Sequence, residues 1–319
     1  MAVYTHVSAE ELAALLERYD AGTLVSAKGI AEGVENSNYL VDTTAGRFIL
    51  TLYEKRVDTA DLPFFIALLD HLAHRGLPVP RMIPDRSGRQ LQEIAGRPGC
   101  LIEFLPGISV SHPTAPQTRA TGAALGRVHR ALSDFRGDRP NTLGLAGWHE
   151  LAARCGADLD RIAPGLGARV AEELAWLDQA WPVALPHSVI HADLFPDNVL
   201  MRGDDVAGVI DFYFACRDIR AWDVAVTHAA WCFEDDGTHY HADRGAALLE
   251  GYRSTFALLP EEAAAFPALA RGACLRFLLT RAWDWLNTPA DALVTRKDPL
   301  AFLRRLDFYR DSRPADLGL

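Results

Sequence analysis

The chain has 319 residues, of which 49% are hydrophobic and 23% are charged, a composition typical of a globular protein with one large or two coupled domains. A net charge of −10 argues against nucleic acid or an anionic membrane surface as the main partner. No signal peptide and no apolar run of about twenty residues is visible, so we expect a cytoplasmic protein. Five separated cysteines without CxxC spacing indicate reduced thiols, and the oligomeric state stays open.

The first third of the chain is predicted to be rich in β-structure. Ser8-Ala-Glu-Glu11 has the pattern of a capping box and predicts a helix that ends near Asp20. The elements predicted after it are strands over 23–31, 37–44 and 47–54, a helix over 59–74, and a hairpin over 89–105 that turns at 96–99.

The rest of the chain is predicted to be mainly helical. The helices are expected at about 114–134, 147–160, 166–181, 220–233, 242–257, 261–287 and 299–310. We therefore predict a β-rich domain over 1–105 and a helical domain over 106–319; the family resemblance given below implies that the first is a nucleotide-binding lobe and the second a catalytic and substrate-binding lobe. A cleft between two unlike domains is a common place for a small-molecule site.

The segment VIHADLFPDNVLMRGDDVAGVIDF, residues 189–212, interrupts the helical half with short strands and several acids. A hairpin here is expected to bring Asp211 beside Asn198, with Asp193 on the neighbouring loop. Carboxylate and amide oxygens suit Mg²⁺, and a carboxylate that does not bind the metal can accept a proton from a hydroxyl. The alternative is a set of surface acids that cap turns.

The spacing of these residues is more specific than their composition. His191-Ala-Asp193, then Asn198 five positions later, then a strand that ends with Ile210-Asp211-Phe212, matches the catalytic and metal-binding segments of protein-kinase-like enzymes. In that template the first Asp faces the acceptor hydroxyl, while the Asn and the second Asp bind magnesium.

Two segments of the first third are compatible with a nucleotide site. The turn from Gly33 to Asn38 joins two strands, as a hairpin that covers phosphates does, although an ordinary hairpin has the same pattern. The segment Leu101 to Gly107 stands where two lobes would join, and its backbone could pair with adenine; an ordinary strand end is the equally weighted alternative.

Other motifs are absent or weak. The chain has no GxxxxGK[ST] motif, and His149-Glu150 lacks the second His of a zincin. His239 and His241 could bind a metal, but without further ligands at a matching spacing a solvated loop is favoured.

Taken together, the sequence resembles the aminoglycoside-phosphotransferase-like kinases, which include choline and methylthioribose kinases. The resemblance covers most of the chain. It is carried by VENSNYLVDTTAGRFILTLYE, LPVPRMIPDRSG, LIEFLPG, VIHADLFPDNVL and GVIDFYFACRDIRAWDVA. It implies an α+β, protein-kinase-like fold of two lobes that uses ATP and Mg²⁺ to phosphorylate a small alcohol.

The resemblance also implies an acceptor. The segments in the first third point to the hydroxyl of homoserine, a reaction that feeds threonine synthesis. The alternatives are another small alcohol, such as choline, methylthioribose or an aminoglycoside, and a catalytically inactive nucleotide-binding scaffold. An intact set of Asp193, Asn198 and Asp211 argues against the scaffold.

Roles follow from the resemblance residue by residue. Asp193 is the implied catalytic base, and Asn198 and Asp211 are the implied magnesium ligands. His191 is expected to brace the catalytic loop, and Asp223 to tie the metal-binding segment to the following helix. The implied nucleotide-binding residues are Gly33, Asn36, Ser37 and Asn38 in the phosphate hairpin and Glu103, Phe104 and Leu105 in the segment that faces adenine.

One departure from the family pattern concerns the third strand, which usually carries a basic residue for the α- and β-phosphates. Thr51 occupies that position here, and no Glu lies between Glu54 and Glu93 to pair with such a residue. Among the three lysines, Lys55 on the same strand face is the first candidate to replace it, and Lys28 is the second.

The acceptor site itself is less defined. A zwitterionic amino acid needs a cation for its carboxylate and acids for its ammonium group. Arg276, Arg281 and Asp284 stand at near-helical spacing and could present such groups, although an ordinary polar helix face is at least as well supported.

Overall fold

The structure is a computed structural model and describes residues 5–30, 36–54, 58–288 and 296–319. Contacts within the chain divide it into two compact units. The smaller unit comprises Met1–Pro106 and Gly208–Tyr213, and the larger unit comprises Gly107–Ala207 and Phe214–Leu319.

The smaller unit contains an antiparallel sheet of five strands in the order β1-β2-β3-β5-β4, together with two α-helices in its described residues. Its elements are α1 (Ala9–Leu16), β1 (Leu24–Gly29), β2 (Asn36–Thr43), β3 (Gly46–Tyr53), α2 (Leu62–His74), β4 (Gln92–Ile94) and β5 (Arg97–Glu103). All the elements predicted for the first third are present, with shifted ends.

The first helix packs on the sheet because of its cap and its apolar face. The Ser8 hydroxyl accepts the Glu11 backbone N–H, and the Glu11 carboxylate accepts the Ser8 N–H, so the predicted capping box is formed. The apolar face of α1 then meets one face of the sheet in a core cluster that includes Leu12, Leu16 and Leu50.

The hairpin between β4 and β5 turns earlier than predicted. Ile94 pairs with Arg97, so the turn consists of Ala95 and Gly96 alone, with φ angles of 51° and 72°. Two consecutive positive φ angles are typical of a tight two-residue hairpin turn, whose twist matches that of the strands. The predicted turn at 96–99 is therefore wrong, because Pro98 and Gly99 already lie in β5.

The larger unit is mainly helical, as predicted. Its helices are α3 (Ala115–Ala131), α4 (Leu145–Cys155), α5 (Leu166–Ala180), α6 (Arg220–Trp231), α7 (Ala242–Thr255), α8 (Pro260–Asn287) and α9 (Leu300–Asp311).

Short strands stand between α5 and α6. They are β6 (His187–Ile190), β7 (Val199–Arg202), β8 (Asp205–Val209) and β9 (Cys216–Ile219), and β6 pairs with β9 while β7 pairs with β8. The sequence analysis missed β9, and its predicted last strand ran on to Phe212, whereas β8 ends at Val209.

Helices α3 and α7 lie in unusually close contact. A Cβ atom added to Gly122 would lie 2.1 Å from the carbonyl oxygen of Leu248, and one added to Gly251 would lie 2.0 Å from that of Arg119. Only glycine fits at either position. This close approach brings His129 of α3 to Tyr252 of α7, a contact that supports the site described below.

Helix α8 is buried along most of its length. Among the described residues it is the one helix long and apolar enough to cross a membrane, but most of that apolar stretch lies inside the protein. A core helix of a globular protein has the same character, so the finding is weak support for a membrane span.

Candidate active site

The strand β6 leads directly into the loop that carries the predicted catalytic residues. Val189 and Ile190 are buried and fix the end of the strand, and the next residues, His191 to Asn198, form the loop before β7. A short 3₁₀ turn over Pro196–Asn198 closes it. We call residues 191–198 the catalytic loop.

The catalytic loop turns sharply at Ala192, which has a φ of 64°. That left-handed conformation costs a non-glycine residue roughly 1–2 kcal/mol, so neighbouring groups must hold it. The carboxylate of Asp223 does so from α6: it accepts the N–H of His191 and the N–H of Ala192, both at 2.8 Å.

Asp223 is itself completely buried and held by a chain of hydrogen bonds. Its carboxylate contacts Nε2 of His129 at 3.0 Å, and Nδ1 of His129 contacts the hydroxyl of Tyr252 at 2.9 Å. Burial acts to raise the pKa of Asp223, but the hydrogen bond and charge of His129 and the interactions with His191 outweigh it and hold that pKa below the usual range. Asp223 therefore stays ionised as the anchor of the loop.

This arrangement corrects one expectation. Asp223 was predicted to tie the metal-binding segment around Asp211 to α6, but its contacts in the structure go to His191 and Ala192 of the catalytic loop. The prediction that His191 braces the loop agrees with its burial and with the bond from the Asp193 N–H to His191 Nδ1 at 3.2 Å.

A second residue holds Ala192 through its carbonyl group, whereas Asp223 holds its N–H group. Nη1 of Arg276, on α8, donates to the carbonyl oxygen of Ala192. The guanidinium lies among the rings of Phe214, Trp222 and Phe277, and the residue is 1% exposed. Arg276 is thus committed to the backbone of the catalytic loop and is not part of an exposed helix face.

Asp193 stands immediately after this turn, where burial and nearby charges act on its carboxyl group in opposite directions. Burial raises the pKa of its carboxyl group, while the charges of Arg276, His191 and Lys297 and a hydrogen bond from Asn198 oppose that rise. A raised pKa moves a carboxylate towards the range in which it works well as a general base near neutral pH.

Asn198 shares the loop with Asp193 and is nearly buried. Its Nδ2 donates to the Asp193 backbone oxygen at 2.8 Å and to the Asp193 carboxylate at 3.2 Å. With both bonds made by the nitrogen, Oδ1 accepts no hydrogen bond from the described residues. An amide oxygen left available in this way fits a hard cation such as Mg²⁺.

Asp211 belongs to the smaller unit, in the segment that follows β8. The Val209 N–H donates to the carbonyl of Pro78 at 2.9 Å, and the Tyr213 hydroxyl donates to the hydroxyl of Tyr53 at 3.2 Å. The segment is therefore attached to this unit both before and after Asp211. Asp211 is exposed and has a φ of 63°. Among the described residues, the non-glycine residues with a positive φ are Ala95, Ala192 and Asp211. Residues with this strained conformation occur more often at functional sites than elsewhere.

The predicted phosphate hairpin lies partly outside the described residues, which exclude Gly33. Asn36 and Ser37 are buried at the start of β2, and the Ser37 hydroxyl donates to Glu54 at 2.8 Å. Asn38 faces Thr51 across β2 and β3 and accepts its hydroxyl at 2.7 Å. Ser37 and Asn38 therefore bond to neighbouring residues of the smaller unit, whereas the buried Oδ1 of Asn36 has no hydrogen-bond partner among the described residues. The predicted nucleotide contacts of all three stay predictions.

The nucleotide contacts predicted at position 51, where related kinases carry a basic residue, also stay predictions. Thr51 is buried and its proton is directed to Asn38. Lys55, the first candidate for a replacement, lies outside the described residues, and Lys28 is exposed on β1.

The predicted adenine-facing segment follows the end of β5. The Glu103 N–H donates to the carbonyl of Arg81 at 2.9 Å, and Phe104 lies under the guanidinium of Arg47, 5.1 Å from the ring centroid. Leu105 is partly exposed beyond the last strand pair. Adenine contacts of these three residues stay predictions.

No group of three or more His, Cys, Asp or Glu side chains that could bind a metal ion occurs among the described residues. His241 contacts Glu234 at 2.5 Å, and no metal cluster forms around it or His239 within that part of the chain. A magnesium ion that takes most of its ligands from water and phosphate needs no such cluster.

The sequence analysis missed the buried residues of other helices that support the catalytic loop. His129 and Tyr252 had no motif to mark them, and Arg276 was grouped with acceptor-site candidates on helical spacing alone. Their signal is a long-range contact, which one sequence does not reveal.

Comparison with known proteins shows that the chain is a small-molecule kinase and gives its family. The chain belongs to the phosphotransferase enzyme family, whose sequence model matches residues 26–259. It is 57% identical over 320 residues to the homoserine kinase of Zymomonas mobilis subsp. mobilis, a match that covers 100% of both chains. It is 55% identical to the homoserine kinase of Xanthobacter autotrophicus, covering 100% of this chain and 99% of that one.

A solved structure shares the fold at low sequence identity. An amicoumacin kinase in complex with AMP-PNP and Ca²⁺ matches with a TM-score of 0.73 at 15% identity, over 97% of this chain and 95% of that chain. The predicted α+β, kinase-like fold is therefore confirmed, and so is the family resemblance.

Proposed function

We propose that the protein transfers the γ-phosphoryl group of ATP to the hydroxyl of L-homoserine, which yields O-phospho-L-homoserine and ADP. The observation that carries the choice of acceptor is the similarity over the full length to homoserine kinases of 51–57% identity. The product would enter threonine biosynthesis, and we place the enzyme in the cytoplasm.

Asp193 is the proposed catalytic base. As the acceptor oxygen attacks the γ-phosphorus, a new O–P bond forms, the bond from that phosphorus to the β–γ bridging oxygen breaks, and ADP leaves. The hydroxyl proton passes to the Asp193 carboxylate. The catalytic loop supports this role because Asp223 and Arg276 hold the backbone just before Asp193 from both sides.

Asn198 and Asp211 are the proposed magnesium ligands. Their donor atoms are an amide oxygen that accepts no hydrogen bond from the described residues and a carboxylate, both of the hard-oxygen type. When bound, the ion neutralises charge on the phosphate oxygens. We further propose that the hairpin of Gly33, Asn36, Ser37 and Asn38 covers the phosphates and that the segment Glu103 to Leu105 pairs with adenine.

The test is a substrate panel with the purified protein. ADP release is measured with MgATP and L-homoserine, choline, methylthioribose or an aminoglycoside, and the product is identified by mass spectrometry. We expect the highest kcat/KM with homoserine. A higher value with another acceptor would replace the proposed substrate, and ADP release that needs no acceptor would contradict the assigned reaction.

A further inference from the structure

Arg281 stands on α8 five residues after Arg276, but its surroundings differ. Its Nη1 donates to the backbone carbonyl of Asp298 at 3.2 Å, and its guanidinium lies 4.5 Å from the centroid of the Phe302 ring. These contacts fix the direction of the side chain. Neither supplies a negative charge.

Among the described residues, no carboxylate forms an ion pair with Arg281 within 4.0 Å. Asp298 binds Arg304 at 3.4 Å and the Leu300 N–H at 2.8 Å, so its carboxylate is engaged elsewhere. Arg305 adds like charge, because its guanidinium lies 4.5 Å from the centroid of the same Phe302 ring.

Partial burial makes this unbalanced charge costly. Burial, and then the charge of Arg305, lower the pKa of Arg281 to about 10, which still leaves the guanidinium charged at neutral pH. A desolvated cation without a carboxylate is destabilising until an anion binds to it. Arg281 is therefore a place where an anionic ligand group gains more than it would at an exposed, paired arginine.

The position of Arg281 suits an acceptor in particular. Its guanidinium lies on the ring of Phe302, whose centroid is 6.1 Å from that of Phe195 in the catalytic loop. It also donates to the carbonyl of Asp298, next to Lys297, which pairs with Asp197 of the same loop. In homoserine a short carbon chain separates the hydroxyl from the carboxylate, so a cation that binds the carboxylate must lie near the base that faces the hydroxyl. Arg281 meets this condition.

The neighbouring cations are enclosed or paired. Arg276 donates to the Ala192 carbonyl, and Arg305 donates to the carbonyls of Glu234 and Asp235. Both are buried, at 1% and 4% exposed, so a ligand in solution does not reach their remaining N–H groups, whereas Arg281 is partly exposed. Lys297 binds the carboxylate of Asp197 at 3.2 Å. Within the part of the larger unit that the structure describes, Arg281 is thus the cation near the catalytic loop best placed to take a further anion.

We infer that Arg281 binds the carboxylate of the acceptor and selects an α-amino acid over an uncharged or cationic alcohol. The inference rests on the proposed function. A planar guanidinium pairs with a carboxylate through two parallel hydrogen bonds, which gives both affinity and orientation. The choice of Arg281 over Arg276 follows from the contacts described above.

The test compares two acceptors and three variants. 3-Aminopropan-1-ol is homoserine without its carboxylate. We expect Arg281→Met to raise KM for homoserine by about 10- to 100-fold, the loss typical of a charge-assisted hydrogen-bonded pair, while KM for ATP changes less than about twofold. The value of kcat/KM for 3-aminopropan-1-ol should stay at its low wild-type level. Arg281→Lys should recover part of the loss.

Arg310→Met is the matched control, because Arg310 pairs with Glu172 at an exposed site on α9 and should leave both acceptors unaffected. A wild-type KM for homoserine in Arg281→Met overturns the inference, as does an equal proportional loss with both acceptors. Thermal unfolding of each variant shows whether a loss of activity comes from misfolding. If Arg281→Met is misfolded, the inference is tested with Arg281→Lys instead, by the ratio of kcat/KM for homoserine to kcat/KM for 3-aminopropan-1-ol.

The two proposals fail in different ways. If the wild-type protein phosphorylates 3-aminopropan-1-ol as well as homoserine, the inference is wrong although the kinase activity stands. If it phosphorylates other alcohols but not homoserine, the proposed function is wrong. Calorimetric titration of homoserine into the wild type and Arg281→Met then decides the inference: weaker binding by the variant supports it, and equal or absent binding overturns it.

Discussion

Replacing Arg276 by methionine should slow the phosphoryl transfer without weakening ATP binding. In the structure this guanidinium donates to the carbonyl of Ala192, whose φ is 64°. A hydrogen bond from a charged group contributes about 1.5–3 kcal/mol, comparable with the roughly 1–2 kcal/mol that a left-handed alanine costs. Without the bond, the turn is free to relax, and Asp193 moves with it.

The expected loss follows from the sensitivity of catalysis to position. A displacement of about 1 Å at a reacting group costs on the order of 10²-fold in rate, so we expect kcat to fall by about 10- to 100-fold in Arg276→Met. The free energy of unfolding should change by less than about 2 kcal/mol, because methionine fills the ring-lined space and removes a buried Nε that has no hydrogen-bond partner among the described residues.

The measurements are steady-state kinetics, calorimetric titration with ATP, and urea unfolding. Arg276→Lys keeps a charged donor and should recover part of kcat, which a purely volume-dependent effect would not produce. If kcat of Arg276→Met stays within about twofold of wild type, the bond from Arg276 to Ala192 does not position Asp193. The same conclusion follows if the loss of kcat is matched by an equal loss of ATP binding.

Three further predictions concern single groups. Asp193→Asn should lower kcat by about two to four orders of magnitude and keep ATP affinity, measured by kinetics and titration; near-normal turnover would remove Asp193 from the base role. Asp211→Ala should lose the magnesium-dependent part of ATP binding, and titrations with and without Mg²⁺ that match wild type would contradict this. Burial lowers the pKa of His228 from 6.5 to about 3. Below pH 6.5 the unfolded chain therefore takes up a proton that the folded protein does not, and stability falls by about 2 kcal/mol from neutral pH to pH 5. His228→Gln, which can still bond to Tyr309, should abolish that component in urea unfolding at the two pH values; an unchanged pH dependence would exclude His228 as its source.

The fold was largely predictable because local patterns and tertiary structure agree in most elements. The capping box at Ser8 and Glu11 and the strand alternation of the first third each act over a few residues, which is the range that sequence patterns report. Strand β9 was missed for the opposite reason. Cys216-Arg-Asp-Ile219 has little strand character, and its conformation comes from pairing with His187–Ile190, about thirty residues earlier in the chain.

In the catalytic loop, too, the local pattern was predictable and the long-range contacts were not. The roles of His191, Asp193 and Asn198 were predicted from their spacing, since a template fixes it. The partners of the loop were not, because the pattern of α8 places Arg276 and Arg281 on a helix but does not tell what each one meets. Burial against three aromatic rings separates Arg276 from Arg281, and only the packed structure contains that information.

The bonds from His191 and Ala192 to Asp223 also bear on how the loop moves. Both amide hydrogens are held by a carboxylate that is fully buried in α6 and bonded to α3 through His129. Their exchange with solvent deuterium requires the loop to leave a carboxylate that is anchored in the core, so we expect both amides to exchange much more slowly than the exposed amides of other loops. The backbone just before the proposed base is then a protected part of the protein although it lies in a loop.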